Sequence, residues 1–512
     1  MLETRTKWEQ TPSVWFKWLN AAKANHYLWL DILVITLLCI PLTQLTAGTL
    51  IPLERYITFG DTPFFLNRGV LLLRGIVDEG FVYTLTYPIL VAITYIFTHN
   101  LIVTGVILNR LAFYALILGT YLLSRIFYNR QVGWLSVFVV AINVTFFSAT
   151  RLAQPFLTFY ALVIWCVLAY VWVVRRPNLL TATLLGLILT VTFYARLEGG
   201  SYIVLIPLAA WQVYRSTGRI HLPIQIILVG CSIFAAGAIF YFAILSRISD
   251  TGSGDVFTFL TILRSNSPLE QFWARAVQTG QALLGGVSVL VTVGALLGVL
   301  QRKPHDRAAN GLFLLLIDIG IANLFVLSAV PKVYIGEVSV PFLSVLGAAF
   351  AVRLAARWRW TTPFLVIMMV AVLLPGIVNL IRYASIPYMD YRQSPSGQAA
   401  AAVDNWLRTN GYQDTEVYTF CSGVTPYSES NFHVIYRMAF GDRQSADQAN
   451  SPRQLLPMLR EKQKLFMRCN NDINIPYRDW NDFLEHPANF PIQLQEIGRI
   501  GDYTLYKVIS QP

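Results

Sequence analysis

The sequence predicts a mainly α-helical polytopic membrane bundle of about eleven spans, followed by a small extracytoplasmic α/β domain, and three observations carry that expectation. The 512 residues are 55% hydrophobic and only 13% charged, with a mean hydropathy of +0.52. That is more apolar surface than a soluble chain can bury. Apolar runs long enough to cross ~30 Å of hydrocarbon recur between positions 29 and 381. From Arg382 onward Asp, Asn, Gln and Arg become frequent and such runs cease. The net charge of +11 is what an excess of Lys and Arg in cytoplasmic loops produces, and it implies no nucleic-acid partner.

Residues 1–28 form the first segment. Trp8, Trp15, Phe16, Trp18 and Leu19 interleave with Lys7, Lys17 and Lys23, the pattern of a helix lying on the cytoplasmic membrane face. The segment lacks the short apolar core and small-residue cleavage site of a signal peptide. Of the five cysteines, Cys39, Cys166 and Cys231 fall in apolar runs and read as small core residues.

The membrane module is expected at 29–381. Its runs lie near 29–50, 101–124, 132–149, 154–174, 179–195, 200–214, 222–246, 281–300, 310–329, 337–352 and 361–381. If all of these cross, Arg125 with Arg130, Arg175 with Arg176, Arg215 with Arg219, the Arg302–Lys303–Arg307 cluster and the Arg353–Arg357–Arg359 cluster share the side of the N-terminus. The positive-inside rule then makes that side cytoplasmic. The apolar piece 84–98 is about fifteen residues long and contains Pro88. It reads as a partly buried or re-entrant helix within a first outer loop, 51–100. Asp61, Arg151, Arg196-Leu197-Glu198, the loop 247–280 and Lys332 with Glu337 then face outward.

Residues 382–512 are long enough for a modest core of their own. Helices are expected at Ala399 to Leu407 and Gln454 to Glu461, strands at Glu416 to Phe420 and Leu465 to Arg468, and a hairpin from Leu494 to Ile509 that turns at Gly498 to Gly501. Cys421 and Cys469 both follow predicted strands and would pair in an oxidising compartment. Sequence leaves that pairing open, because it does not place their Cα atoms.

The chemistry concentrates in the first outer loop, at Phe59-Gly60-Asp61-Thr62-Pro63 and on to Arg68 and Arg74. Thr62 followed by Pro63 predicts a helix over 63–74 with Thr62 as N-cap, Asn67 and Arg74 sharing one face. Asp61 at its start can cap the helix or carry out chemistry. Arg151, Arg196 and Glu198 at the same membrane face can each be a snorkelling anchor. Together they would make a mixed site of acid and arginine, suited to a lipid-linked phosphate: the phosphate needs fixed cations, and an incoming hydroxyl or amine needs a carboxylate. Asn109-Arg110 and Asp318 lie within apolar runs, and a helix-holding Arg110–Asp318 pair is the favoured reading there.

The ordered set of Gly60-Asp61, Leu72-Leu73-Arg74-Gly75, Arg110, the basic turn Arg125 to Gly133, Arg151 and Tyr194-Ala195-Arg196-Leu197-Glu198-Gly199 resembles the GT-C membrane glycosyltransferases. The pattern is similar to the family 39 type, which includes protein O-mannosyltransferases and the aminoarabinose transferases that modify lipid A. The resemblance covers about 29–381 and implies that Asp61 is the catalytic acid of the first loop. Where the family often has a second acid, this chain has Thr62, which turns attention to Glu198. His26, His99, His221, His305, His433 and His486 lack ligand spacing, so no tightly bound metal is expected, a weakly held divalent cation at most. No nucleotide-binding loop is present, in keeping with a donor activated on a lipid.

The resulting expectation is a multi-pass enzyme of the cytoplasmic membrane that moves a sugar, hexose or pentose, from a polyprenyl phosphate to a lipid, glycan or protein acceptor at the outer face. Asp61 would be the base, Arg68, Arg74, Arg151, Arg196 and Lys332 would hold the phosphate, and Glu198 would bind hydroxyls of acceptor or sugar. The alternatives are a transporter or flippase of a lipid-linked saccharide, and a scaffold whose outer domain binds a partner. Against a transporter, the charges gather at one face and no repeat of matched broken helices is visible.

Overall fold

The computed structural model describes residues 26–47, 62–73, 85–141, 155–248, 340–357, 395–421, 432–434, 451–469 and 492–510, with single positions between them. The interfacial segment before His26, and Asp61, Arg74, Arg151, Asp318, Lys332 and the expected runs 281–300 and 310–329, lie outside the described residues.

The helical part comprises α1 (His26–Ala47), α2 (Thr62–Leu73), α3 (Thr86–Thr98), α4 (Leu101–Phe127), α5 (Arg130–Ala141), α6 (Phe156–Arg175), α7 (Leu179–Ala195), a 3-10 segment (Leu197–Val204), α8 (Leu205–Thr217), α9 (His221–Ile248) and α10 (Val340–Arg357). Among the described residues three stretches are long and apolar enough to cross a membrane, Leu101–Phe127, Phe156–Arg175 and His221–Tyr241. Shorter apolar helices accompany them. One continuous core, including Phe113, Leu116, Tyr160, Ile164, Leu185, Leu189, Ile206 and Phe342, runs through α4, α6, α7, α8 and α10.

Two expected runs are interrupted, each for a local reason. Across 132–149 helix α5 stops at Ala141, and the Asn143 side chain accepts from the Phe146 amide at 3.4 Å. An Asn in that role starts a new turn in place of continuing the old one. Across 200–214 the chain forms the tight 3-10 segment before α8, because two glycines follow Glu198.

The two ends of the bundle are chemically distinct. At the first, Arg175 donates to the Ile126 carbonyl at 3.1 Å and the Arg353 guanidinium sits 5.6 Å from the Tyr128 ring. There too, Asp31 of α1 is fully buried beneath the turn between α4 and α5. Its carboxylate accepts from Arg130 Nη2 at 2.7 Å, Arg130 Nε at 2.9 Å, Arg125 Nη1 at 3.1 Å and Trp134 Nε1 at 3.2 Å. The Tyr121 hydroxyl completes the set. This basic end thus joins arginines from three of the clusters noted in the sequence. Asp31, an isolated acid near the start of an apolar run, is the partner that sequence reasoning missed.

Helix α3 begins and ends at the opposite end. Its first turn is bonded to the last turn of α7, with Leu85 N donating to Tyr194 O at 2.7 Å and Thr86 Oγ1 to Val191 O at 2.9 Å. Its last turn closes at His99, and Asn100 caps the first turn of α4 by accepting from the Val103 amide at 3.0 Å. The 13-residue α3 thus joins the end of α7 to the start of α4.

The C-terminal part contains α11 (Pro395–Thr409), β1 (Val417–Thr419), β2 (Phe432–Val434), α12 (Pro452–Glu461), β3 (Leu465–Cys469), β4 (Ile492–Ile500) and β5 (Tyr503–Ser510). The sheet order is β2-β1-β3-β5-β4. Strand β1 runs parallel to β2 and β3, and β5 is antiparallel to β3 and β4. The hairpin turns at Gly501-Asp502, at the last residue of the expected stretch, and a register shift falls between Glu496 and Gly498. Alternation along β3 sends Leu465 and Met467 into a core with Ala400, Val403 and Leu407 of α11. Phe466 points the other way, against Leu456 and Leu459 of α12 and stacked 4.9 Å from Trp480. The sheet is therefore covered on both faces, which explains why Leu465, Phe466 and Met467 of β3 are apolar in succession. Cys421 and Cys469 form a disulfide across neighbouring strands, their Cα atoms 5.9 Å apart.

Candidate functional site

Helix α2 follows Asp61 directly and begins with Thr62-Pro63. Thr62 is its first residue, one position inside the expected N-cap, a difference within the ordinary latitude of helix ends. Phe65, Leu66 and Val70 bury against Tyr87 and Val91 of α3 and Leu101 and Leu108 of α4. Phe65 meets Tyr87 edge to face at 6.2 Å. The approach of α2 to α3 is so close that a Cβ at Gly69 would lie 2.3 Å from Val91 Cγ1 and 3.0 Å from the Ala92 amide nitrogen. Only glycine fits there.

This packing draws Arg68 inward, leaving it 2% exposed. A guanidinium cannot lose its charge in a protein, so its burial marks a place built for anionic or polar partners. On the adjoining helix, Tyr87 is fully buried and its hydroxyl meets no hydrogen-bond partner among the described residues. Buried hydroxyls are rarely left so. Sequence reasoning did not single out Tyr87; its only signal was its place beside Pro88 in the re-entrant piece.

The bonds from Leu85 and Thr86 then carry the site across to α7. Arg196 closes that helix in an extended conformation, its amide donating to Thr192 O at 3.1 Å. Its guanidinium lies 5.1 Å from the Phe156 ring centroid and 6.0 Å from that of Phe159. Two aromatic rings flank the cation. The following 3-10 segment folds back on the helix: Gly199 N donates to Arg196 O at 2.8 Å, and a Cβ at Gly199 would stand 2.4 Å from Thr192 O. Glu198 occupies this segment, its side chain outside the described residues. Tyr194, stacked on Tyr241 at 5.6 Å and bonded to Gly237 O at 2.7 Å, adds an aromatic wall.

Of the sequence-predicted residues, the structure thus brings the helix of Arg68 and the turn of Arg196 and Glu198 onto the same short helix, α3. Arg74 follows α2 in the chain, while Arg151 and Lys332 precede α6 and α10, which start at this end of the bundle. Strand β2 of the C-terminal sheet lies against α2. Among the described residues no group of three or more His, Cys, Asp or Glu side chains is gathered.

No protein-family profile and no curated protein sequence matches the chain. Its fold is similar to those of solved membrane-protein structures. The likeness spans nearly the whole of ArnT from Cupriavidus metallidurans, solved bound to undecaprenyl phosphate: TM-score 0.55 and 12% identity, covering 93% of this chain and 97% of that one. The apo form of ArnT gives a TM-score of 0.54 at 12% identity with the same coverage, 93% and 97%. The oligosaccharyltransferase AglB from Archaeoglobus fulgidus, solved with an inhibitory peptide and a dolichol-phosphate, aligns at a TM-score of 0.49 and 11% identity over 88% of this chain and 70% of that one.

Proposed function

We propose that this protein is an integral membrane glycosyltransferase that takes a sugar from a polyprenyl-phosphate donor at the outer leaflet and passes it to a lipid, glycan or protein acceptor. The observation that carries the reading is the joining of the first-loop helices to the Arg196 turn through Leu85 and Tyr194, within a fold shared along its length with a protein solved holding undecaprenyl phosphate. An acid-bearing loop and two buried arginines at one membrane face suit a phosphate head group better than a path across the bilayer.

In this reaction Asp61 accepts the proton of the acceptor hydroxyl or amine as that atom attacks the anomeric carbon. The bond from that carbon to the phosphate oxygen breaks, and its electron pair leaves with the lipid phosphate. Arg68 and Arg196, with Arg74, Arg151 and Lys332 from the adjoining loops, neutralise the phosphate. The Tyr87 hydroxyl donates to the same group, and Glu198 binds hydroxyls of sugar or acceptor. A phosphate leaving group is a weak base, so one carboxylate and nearby cations suffice and no resident metal is called upon.

Orientation follows from the same reading. The basic end, with Arg125, Arg130, Arg175 and Arg353, is cytoplasmic, and the Cys421–Cys469 disulfide belongs to a domain in an oxidising space. Purified protein incubated with a panel of polyprenyl-phosphate sugars should release lipid phosphate in the presence of membrane lipid, glycan or peptide acceptors. Absence of release across the panel, with lipid phosphate still bound and carried between leaflets of a vesicle, would favour a flippase instead.

A further inference from the structure

The C-terminal sheet meets the candidate site through β2, which lies against α2. Strand β2 is only three residues long and sits at the sheet edge. A strand that short is held weakly by its own ladder, so something else must fix where it enters. The structure supplies that fixture. Asp404 of α11 is 8% exposed, and its Oδ1 accepts from Ser428 Oγ at 2.5 Å and from Ser430 Oγ at 2.5 Å. Ser428 Oγ in turn accepts from the Ser430 amide at 3.0 Å, and Ser430 O accepts from the Phe432 amide at 3.0 Å, at the first residue of β2. Phe432 itself is buried with Val403 and Leu407 of α11.

Two hydroxyls converge on one carboxylate oxygen, and the chain runs from them straight into the strand that braces the helix of Arg68. Bonds to an ionised carboxylate are the strong kind. We propose that Asp404 is a positioning residue for the candidate site: through Ser428 and Ser430 it fixes β2, and β2 holds α2, and with it Arg68 and the start of the helix that follows Asp61. This inference rests on the proposed glycosyl transfer for its consequence in turnover, though not for its consequence in structure. The C-terminal domain is then a working part of the membrane site and not only an appendage to it.

Hydrogen–deuterium exchange on the full chain in detergent tests the relay without any substrate. In Asp404→Ala, amides of 62–73 should exchange about ten-fold faster, the loss expected when a bond to a charged group goes, while those of 101–127 keep wild-type protection. Asp404→Asn retains an acceptor oxygen and should restore most of the protection. Ser430→Ala gives an independent route should Asp404→Ala fold poorly. Unchanged exchange at 62–73 in Asp404→Ala and Ser430→Ala, or faster exchange confined to 395–434, overturns the relay. In an active preparation the same variants should lower kcat with little change in KM for the lipid donor, and Asp404→Asn should recover it. A protected 62–73 in wild type that loosens in the variants, without any turnover in wild type, would sustain the relay and count against the transferase.

Discussion

The amide of Leu85 donates a 2.7 Å hydrogen bond to the carbonyl of Tyr194, residues 109 positions apart in the chain. That bond ties the helix next to Arg68 to the helix that ends at Arg196. It sets the helices that carry two arginines remote in sequence against one element, α3.

Asp61→Asn should abolish sugar transfer while leaving yield and thermal unfolding as in wild type. The amide keeps the shape and capping capacity of the carboxylate but cannot take a proton at neutral pH. Near-normal turnover by this variant would remove Asp61 from the reaction.

Arg196→Lys and Arg196→Ala should weaken binding of undecaprenyl phosphate to a similar degree, about ten-fold or more, measured by titration of the purified protein. A lysine keeps the charge but not the planar group that rests on Phe156 and Phe159. Full affinity in the lysine variant would show that charge alone serves.

Tyr87→Phe separates a binding role from a structural one. Removing a buried hydroxyl without a partner among the described residues should leave thermal stability unchanged or raise it, by up to about 1–3 kcal/mol. The same variant should bind lipid phosphate less tightly. Lower stability with unaltered binding would assign the hydroxyl to the fold.

Gly199→Ala forces a methyl group to within 2.4 Å of Thr192 O, a contact with backbone that cannot swing aside. The turn should open, with loss of both donor binding and protection of the last turn of α7. Wild-type behaviour would mean that the Arg196 turn has room that its geometry denies.

Asp31→Ala should lower stability by about 1–3 kcal/mol, since it takes the buried carboxylate from Arg125, whose side chain is 11% exposed, while Arg130, 46% exposed, can turn to solvent. Thermal unfolding in detergent measures the loss. Asp31 stands at the far end from Arg68, so any variant that stays folded should keep donor affinity.

Much of the helical fold was legible from apolar runs, and α7 keeps its expected limits, Leu179–Ala195. The basic clusters were legible as a set because one electrostatic rule predicts them on a common side, and Arg125, Arg175 and Arg353 lie at one end of the bundle. What was hidden depended on contacts far apart in the chain. Asp31 looks like an intruder in an apolar run until Arg125 and Arg130 fold over it. The strand Phe432–Val434 is too short to leave a periodic signature, and its place is set by Asp404 and its two serines. Arg68 was legible as a candidate through its position after Asp61, but its burial arises from the packing of α2 on α3. Tyr87 was silent because a tyrosine in an apolar stretch ordinarily signals nothing but core.

The shortness of α3 matters beyond its packing. A 13-residue helix is roughly 20 Å long, shorter than the ~30 Å hydrocarbon layer, so this helix is too short to cross it alone. Under the proposed function, a polyprenyl phosphate would reach Arg68 and Tyr87 from the bilayer, its tail staying immersed while its head turns toward the arginines. Pulling such a tail into water would cost about 0.8 kcal/mol per methylene. An approach from within the bilayer would leave that cost out of the barrier.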